Sequence, residues 1–439
     1  MPPLTIFLTT YNTGLEGSKA QAQDLAGWLA PVLHDSSADP QLPKGHIPDI
    51  YAIAVQELLP LHLALAGLSG SVLLALTARI QNLLSSHATS LSPGGTAEKY
   101  ILVSRVSHVG VALWVFARES TMAGRLGKAL ESTLGLWYLG MGNKAAVGVR
   151  LPVRRGDGEG GWEILTFVSA HLEAHDHNLE RRNRNYHNIL SSLLFHSSDP
   201  LIATSQIHDT SHLFVMGDLN YRLSELPGGK YPSEGEMTVA IEKERAVMVD
   251  LDTLKSEQKK GRTFGGLREG DLTRFAPTYK RIVGKLEGYS KKRIPGYTDR
   301  ILFASHTDPS DLFSPGSTSA PETTTQITHF NSSPSLLISD HKPVHAILSL
   351  PAPTHSAPAP HLAPFLPAAP PPHPLRPSAV SREELVAWKL MGGVVDKSVG
   401  LVWSLLVLLG WGNPSAGLGV GAVFAMVWGA WWSGVMSAA

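Results

Sequence analysis

Residues 213–223 read LFVMGDLNYRL, an apolar run that stops at a glycine followed by a carboxylate and an amide. Leu213 to Met216 form the kind of short, bulky run that is typical of a buried strand. Asp218 and Asn220 come directly after it, where the chain leaves the strand. Loops at strand ends carry many functional side chains, because the rigid sheet positions them. The segment therefore predicts a buried strand with candidate site residues at its end.

The same pattern recurs through the first 350 residues, where short apolar runs alternate with polar loops. Residues 178–195, NLERRNRNYHNILSSLLF, instead have the apolar spacing of a helix. Mixed strands and helices at this density predict an α/β fold, a two-layered β-sandwich flanked by helices, with its site at the strand ends. The predicted strands are residues 4–12, 49–57, 100–106, 109–117, 144–151, 163–171, 212–220, 297–305 and 336–350.

Acidic, amide and imidazole side chains collect at the ends of these predicted strands. This inventory suits a hard divalent cation held by oxygen ligands, with a carboxylate or histidine handling protons. Glu57 with Asn12 and Asp340 would form a partial Mg²⁺ shell, since Mg²⁺ takes few protein carboxylates. Taken alone, each residue is more often a turn former or a satisfied polar group. The full set is Asn12, Glu57, His171, Asp218, Asn220, Asp299, Asp340 and His341.

Seven motifs occur in a fixed order: TYNTG, AVQEL, SAHLEAH, GDLNYRL, APTYKR, KKRIPGYTDRIL and SDHKPVHA. In this order they resemble the inositol polyphosphate 5-phosphatases of the endonuclease/exonuclease/phosphatase superfamily. GDLN and SDH alone are typical of the whole superfamily, which includes nucleases and sphingomyelinases. The PTYK and RxPxxxDRIL elements indicate the 5-phosphatase branch. The resemblance implies a DNase I-like sandwich and hydrolysis of a 5-phosphate, without a covalent phosphoenzyme.

The resemblance also implies a role for each residue at the predicted site. Asp218 would deprotonate the attacking water, and Asn220 would hydrogen-bond that water or a phosphate oxygen. His341, oriented by Asp299, and His171 would stabilise charge on the phosphate. The implied Mg²⁺ ligands are Glu57, Asn12 and Asp340.

Cations around the predicted site are expected to select the substrate. The resemblance implies that Tyr279, Lys280, Lys291 and Arg293 grip a neighbouring ring phosphate, and it adds Lys144 and Arg300 as substrate contacts. Arginine and lysine are the usual donors to phosphate oxygens. Without the following PGYTDR, the cluster KKR would be interpreted as a solvated loop.

Two features lie beside these motifs. The family usually has two glycines, a tryptophan and often a cysteine where this chain has Ala145, Ala146, Tyr297 and Thr298, which affects the expected rate and substrate preference more than activity. Residues 136–141, LWYLGM, form a large apolar loop that either contacts lipid beside the site or is buried in the core.

Composition excludes several functions. The chain has 439 residues, equal numbers of basic and acidic residues, and no cysteine. The absence of cysteine removes disulfides, thiolate metal sites and a cysteine nucleophile. A net charge of zero argues against a nucleic-acid partner, because proteins that bind nucleic acid usually present a broad basic face to the phosphates. The first residues read poorly as a signal peptide, so we expect the N-terminal domain to be cytosolic.

Three zones follow one another along the chain: a catalytic domain at 1–350, a proline-rich linker at 351–378 and a hydrophobic tail at 379–439. The linker is too rich in proline to form a core and is a possible ligand of SH3-type modules. After Lys397 no Asp, Glu, Lys or Arg appears, which predicts membrane association through the tail. The alternative is a helical hairpin packed on the catalytic domain.

The leading hypothesis is a Mg²⁺-dependent phosphatase that acts on phosphoinositide headgroups at a membrane. The first alternative is a nuclease or sphingomyelinase with the same fold. The second is a catalytically inactive membrane adaptor. All the side chains that the resemblance requires are present, which disfavours the adaptor.

Overall fold

The computed structural model describes residues 3–15, 26–155, 161–197, 204–224, 245–290, 293–308, 324–351, 377–410 and 412–438. The strands are β1 Leu4–Asn12, β2 Ile50–Gln56, β3 Tyr100–His108, β4 Val111–Arg118, β5 Leu130–Gly135, β6 Ala145–Arg154, β7 Trp162–His171, β8 His212–Asp218, β9 Arg268–Glu269, β10 Asp299–Ser305, β11 Gln326–Ser332 and β12 Val344–Leu350. The helices are α1 Leu29–Ser37, α2 Leu61–Leu65, α3 Gly70–Leu91, α4 Glu119–Met122, α5 Leu179–Ser192, α6 Arg245–Asp250, α7 Thr253–Lys259, α8 Arg382–Leu409 and α9 Pro414–Ala438.

The strands form two six-stranded sheets, in the orders β11-β12-β1-β2-β4-β3 and β5-β6-β7-β8-β10-β9. Each sheet contains one parallel pair, β1 with β2 and β7 with β8, and its other pairings are antiparallel. The predicted two-layered sandwich is confirmed.

Apolar side chains from the inner faces of both sheets fill the space between them. Leu8 and Ala52 from the first sheet share this core with Val147 and Phe214 from the second. The outer faces are covered by helices, because alternate strand residues are also apolar on that side. Helices α1 and α3 cover the first sheet and α5 covers the second.

Strand register brings the predicted polar residues to one edge of the sandwich. Asp218 at the end of β8 pairs with Asp299 at the start of β10, and it also pairs with His171 at the end of the parallel strand β7. In the first sheet, the parallel strands β1 and β2 end together at Asn12 and Gln56. The fold therefore gathers residues that lie far apart in the sequence.

The tail helix α8 packs on the catalytic domain, which differs from the expectation that the linker keeps the tail apart from it. Leu385, Gly392, Asp396 and Gly400 are its buried residues, and they lie on the face that contacts the domain. By length and composition the helix could also cross a membrane. Membrane association of the tail stays a prediction, and its first half is part of the domain surface.

Both ends of the linker are bound to the catalytic domain. At the first end, Arg155 Nη2 donates to the backbone oxygen of Pro351 at 2.9 Å. At the second end, Gln206 Nε2 donates to the backbone oxygen of Pro377 at 2.9 Å. The linker between them, including the predicted SH3 ligand, lies outside the described residues.

Candidate active site

Asn12, Glu57 and Asp218 meet where the strand ends converge. The Asn12 side-chain nitrogen donates to Glu57 Oε1 at 3.1 Å and to Asp218 Oδ2 at 2.9 Å. The Asn12 side-chain oxygen accepts the backbone N–H of Gly14 at 3.0 Å. Asn12 therefore holds two carboxylates close together and presents its nitrogen to them, not the oxygen expected of a metal ligand.

Two histidines flank Asp218. His171 Nε2 lies 3.4 Å from Asp218 Oδ2, and His341 Nε2 lies 3.9 Å from the same oxygen. All three side chains are buried. Lys144 Nζ lies 2.6 Å from His171 Nε2. Asp218 is thus a buried carboxylate with an imidazole on each side and an ammonium group next to one of them.

Asp299 orients His341. His341 Nδ1 lies 2.9 Å from Asp299 Oδ2, an oxygen that also accepts the hydroxyl groups of Thr278 at 2.6 Å and Thr298 at 3.0 Å. Because Nδ1 is bonded to a carboxylate, Nε2 is the ring nitrogen left to face Asp218. The threonine that replaces the family's frequent cysteine therefore supports the orienting carboxylate.

These charges shift the pKa values of the cluster in different directions. Burial raises the pKa of Asp218 and Asp299 raises it further, against the lowering effect of His341. Burial disfavours a charged His341, but Asp299 and Asp218 outweigh it and raise the His341 pKa. Burial, together with Lys144 and His341, holds the pKa of His171 well below its usual range. The surroundings therefore favour the charged form of His341 and the neutral form of His171.

Asn220 holds the Asp218 carboxylate in place. Its backbone N–H donates to Asp218 Oδ1 at 3.1 Å, and its side-chain nitrogen donates to the backbone oxygen of Leu172 at 3.1 Å. Its side-chain oxygen accepts Arg222 Nη2 at 2.8 Å. Both ends of the amide are thus bonded within the protein. The structure places Asn220 as a support for Asp218, whereas the sequence indicated a contact to water or phosphate.

Arg222 is a site residue that the sequence analysis missed. Its side chain is buried, and its guanidinium carbon lies 4.5 Å from the centre of the Tyr279 ring. That ring lies 4.5 Å from the ring of His341. Arg222 therefore adds a buried positive charge beside the cluster. Its position two residues after Asn220, inside GDLNYRL, was the signal that could have revealed it.

Residues 9–347 match endonuclease/exonuclease/phosphatase family 2. The chain belongs to this family. The matched region begins within β1, ends within β12 and contains the cluster from Asn12 to His341.

Curated relatives of this family member confirm the resemblance to inositol polyphosphate 5-phosphatases. Mouse type II inositol 1,4,5-trisphosphate 5-phosphatase is 28% identical over 348 residues, which are 78% of this chain and 29% of the relative. Arabidopsis thaliana type IV inositol polyphosphate 5-phosphatase 3 is 30% identical over 211 residues, which are 46% of this chain and 30% of the relative. The chain thus spans less than a third of the length of these relatives.

Two solved structures share the fold. The inositol polyphosphate 5-phosphatase domain of SPsynaptojanin, in complex with inositol (1,4)-bisphosphate and calcium ion, has a TM-score of 0.56 and 20% identity, covering 90% of this chain and 92% of that chain. Cimex nitrophorin, a ferrous NO complex, has a TM-score of 0.53 and 17% identity, covering 80% of this chain and 99% of that chain. Since such different proteins share this fold, the chemistry of the family member must be argued from its site.

The predicted substrate cations of the family member lie in different surroundings. Lys280 Nζ lies 2.6 Å from Asp340 Oδ2, so the predicted phosphate contact pairs with a predicted metal ligand. Arg293 is exposed, and with Arg222 it contributes to lowering the pKa of His175, whose first cause is burial. Arg293 and Arg222 therefore both lie near His175. Lys291 lies outside the described residues.

The prediction that Arg300 contacts substrate is wrong. Its side chain is completely buried, donates to both carboxylate oxygens of Asp252 at 3.0 and 2.9 Å, and also pairs with Glu269. Neighbouring strand residues point to opposite faces, so Arg300 points away from the cluster that Asp299 enters. Arg300 is a structural residue of the family member.

The residues present fit a hard divalent cation. Glu57 offers a carboxylate that is 20% exposed, close to buried Asp218, and its backbone has a φ of 53°. A non-glycine residue in this left-handed region is uncommon and is often found at functional sites. Donor atoms of Asp218, Asp299 and His341 lie within 4.8 Å of one another, although the hydrogen bond from His341 to Asp299 accounts for that closeness.

We expect activity to fall at both ends of the pH scale. With Asp218 as the predicted base, which must be unprotonated, activity should be lost as pH falls through its raised pKa. With His341 as the predicted stabiliser of negative charge, which must be protonated, activity should be lost as pH rises through its raised pKa. Because Asp299 raises both pKa values, Asp299→Asn should move both limbs of the kcat/KM profile to lower pH. The exposed Asp250→Asn is the control, and an unmoved alkaline limb in Asp299→Asn would contradict the assignment.

Proposed function

We propose that this chain is a phosphoric monoester hydrolase that removes the 5-phosphate from inositol phosphates and phosphoinositides with Mg²⁺ as cofactor. The observation that carries the proposal is the buried Asp218 carboxylate between His171 and His341, with Asp299 holding the second histidine. Carboxylates and imidazoles are groups able to move protons near neutral pH. The family membership and the names of the curated relatives support the same conclusion.

In this proposal Asp218 accepts a proton from the attacking water. A raised pKa makes a carboxylate a stronger base, and general-base catalysis works best when the pKa is near the working pH. Asn12 and the backbone of Asn220 donate to opposite oxygens of Asp218 and fix its orientation. The carboxylate is therefore positioned before substrate binds.

Cationic groups on the other side stabilise the charge that grows on the phosphate. His341 stays protonated because Asp299 and Asp218 raise its pKa. Lys144 contributes an ammonium group next to His171. Groups that are held in place before the reaction stabilise developing charge more effectively than water can. When bound by Glu57 and Asp340, Mg²⁺ would supply Lewis-acid stabilisation of a phosphate oxygen.

Substrate recognition is proposed to use Lys280, Arg293 and Tyr279 for a second ring phosphate, with Lys291 as a further candidate. Lys280 Nζ is held 2.6 Å from Asp340 Oδ2, so it lies beside a predicted metal ligand before substrate binds. Each cation would gain a charge-assisted hydrogen bond to a phosphate oxygen. A ring that carries two neighbouring phosphates would thus be preferred over a single phosphate ester.

Association with a membrane is proposed through the tail and the loop beside the site. Leu390, Val394 and Leu401 of α8 are exposed, and so are Tyr138 and Leu139 of the apolar loop. Large exposed apolar surfaces are typical of interaction sites with lipid or protein. This arrangement supports phosphoinositides as substrates.

Phosphate release from the full-length chain in detergent tests the proposal. The substrates are short-chain phosphatidylinositol 4,5-bisphosphate, phosphatidylinositol 4-phosphate, phosphatidylinositol 3-phosphate and inositol 1,4,5-trisphosphate, each with Mg²⁺ and with chelator. We expect Mg²⁺-dependent release from the two compounds that carry a 5-phosphate and none from the others. Hydrolysis of DNA or sphingomyelin instead would favour the alternative enzymes. Release from none of these compounds by a folded protein would favour the adaptor.

A further inference from the structure

The first half of α8 is fixed to the catalytic domain from its first turn. The backbone N–H of Val380 donates to the backbone oxygen of Ser191 at 3.1 Å. Ser381 Oγ caps the helix by accepting the N–H of Glu384 at 3.1 Å. Leu385, 3% exposed, joins the apolar core over the second sheet. The helix therefore starts on the domain and not in a separate tail.

Small residues let α8 approach the domain backbone closely. A Cβ atom added at Gly392 would lie 2.2 Å from the backbone oxygen of Gly140, and one added at Gly400 would lie 2.2 Å from the backbone nitrogen of Ala66. Such distances leave no room for any side chain. Gly140 belongs to the apolar loop between β5 and β6, so the helix contacts the loop directly.

Asp396 is a buried carboxylate in this contact. It is 4% exposed, and both of its oxygens lie 3.1 Å from the backbone nitrogen of Gly142. Burying a carboxylate is costly unless it is bonded, so this N–H is a strong constraint on the loop. On its other side, Gly142 faces His108 and Val109, because an added Cβ would lie 2.6 and 2.4 Å from their side chains. The loop backbone is thus held between the β3–β4 turn and α8.

The constrained loop leads directly to the active site. Lys144 follows Gly142 by two residues, and its ammonium group lies 2.6 Å from His171, which flanks Asp218. The backbone oxygen of Lys144 accepts the N–H of Leu136 at 2.7 Å, which closes the loop between its two strands. A shift at Gly142 would therefore move Lys144.

We propose that Asp396 is a positioning residue, and that the first half of the tail helix holds the loop that places Lys144 against His171. This inference rests on the proposed phosphatase function and deepens it, because it makes the tail a structural part of the catalytic site. Because the helix contacts the loop, the exposed Tyr138 and Leu139 are held in a fixed position relative to the tail. The loop and the tail then present their apolar surfaces in one fixed arrangement.

The test compares Asp396→Ala, Asp396→Asn and Lys397→Ala in the full-length chain in detergent. Lys397 is the adjacent exposed residue and serves as the matched control. With soluble inositol 1,4,5-trisphosphate, Asp396→Ala should lower kcat about tenfold, because loss of a charge-assisted hydrogen bond lets the loop move. Asp396→Asn keeps an acceptor oxygen and should restore kcat to within about threefold of the wild type. Lys397→Ala should behave as the wild type.

Hydrogen exchange provides a readout that needs no activity. The amide of Gly142 should exchange about tenfold faster in Asp396→Ala than in the wild type, with little change in Asp396→Asn. Wild-type exchange and kcat in Asp396→Ala would overturn the inference while leaving the phosphatase proposal intact. If the wild type is inactive on every inositol phosphate, the exchange comparison still decides whether Asp396 holds the loop. Should Asp396→Ala not fold, Gly392→Ala provides a second variant, because its added Cβ would disrupt the contact between α8 and Gly140 of the loop. Unchanged exchange of the Gly142 amide in Gly392→Ala would then contradict the inference.

Discussion

Asp218→Asn should lower kcat about a thousandfold, in the range typical for loss of a general base. Asparagine has nearly the same shape and cannot accept a proton from water. Burial raises the pKa of Asp218, which means that the charged carboxylate is disfavoured in the folded protein. The fold should therefore survive, because asparagine removes this charge. The measurement is Mg²⁺-dependent phosphate release from inositol 1,4,5-trisphosphate, with the melting temperature recorded for the same sample.

The matched control for this prediction is Asp250→Asn, the same chemical change at an exposed position. It should leave both kcat and melting temperature unchanged. If Asp218→Asn retained more than about a tenth of the activity, Asp218 would not be the base. Glu57, whose carboxylate accepts from the same Asn12 amide as Asp218, would then be the candidate base.

Arg300→Met should lower the free energy of unfolding by about 3–5 kcal/mol, the usual cost of removing one partner of a buried ion pair. The substitution would leave the carboxylates of Asp252 and Glu269 buried without their cation. Urea denaturation of the full-length chain, followed by tryptophan fluorescence, measures the change. A protein that still folds should keep its KM, because Arg300 points away from the cluster.

Arg293→Met is the contrasting variant, since this arginine is exposed and is a proposed phosphate contact. It should raise KM for inositol 1,4,5-trisphosphate and leave unfolding unchanged. The opposite pattern, with a stable Arg300→Met protein of high KM, would restore the original assignment of Arg300 to substrate binding.

The strands that the sequence predicted well are those buried on both faces. Strands β1, β2 and β8 each fall inside a predicted segment, and β7 begins one residue before its predicted segment. Strands β5, β9 and β11 were not predicted, because they are short or alternate with polar residues, as in LESTLG and QITHFNS. Edge strands of this kind have too little apolar signal to be separated from loops.

The predicted cluster could be found because its residues sit at strand ends. Register then brings Asp218, Asp299 and His171 together without further information. Whether the nitrogen or the oxygen of the Asn12 amide faces the carboxylates depends on the geometry of the local turn. The sequence pattern carries no information about that geometry. The error at Arg300 was avoidable, because a strand residue next to Asp299 must point to the other face.

The position of the tail could not be predicted from composition. Leu385, Gly392, Asp396 and Gly400 form a narrow face on a helix that is otherwise apolar. A proline-rich linker favours separation, but it does not prevent a helix from returning to the domain. Asp396 was the available signal, since a carboxylate far from the charged first turn, between apolar residues, needs a partner when it is buried.

The bonds at Pro351 and Pro377 make residues 352–376 a closed tether, because both ends are held by the same domain. Such a tether keeps α8 near its docking face, because docking of the helix is then an intramolecular event. Lengthening it should cost little, about 0.6 kcal/mol for each doubling of the loop. Cleavage within it would leave every contact of the docked helix unchanged. The helix would nevertheless dissociate more readily as the protein is diluted, because docking would no longer be intramolecular.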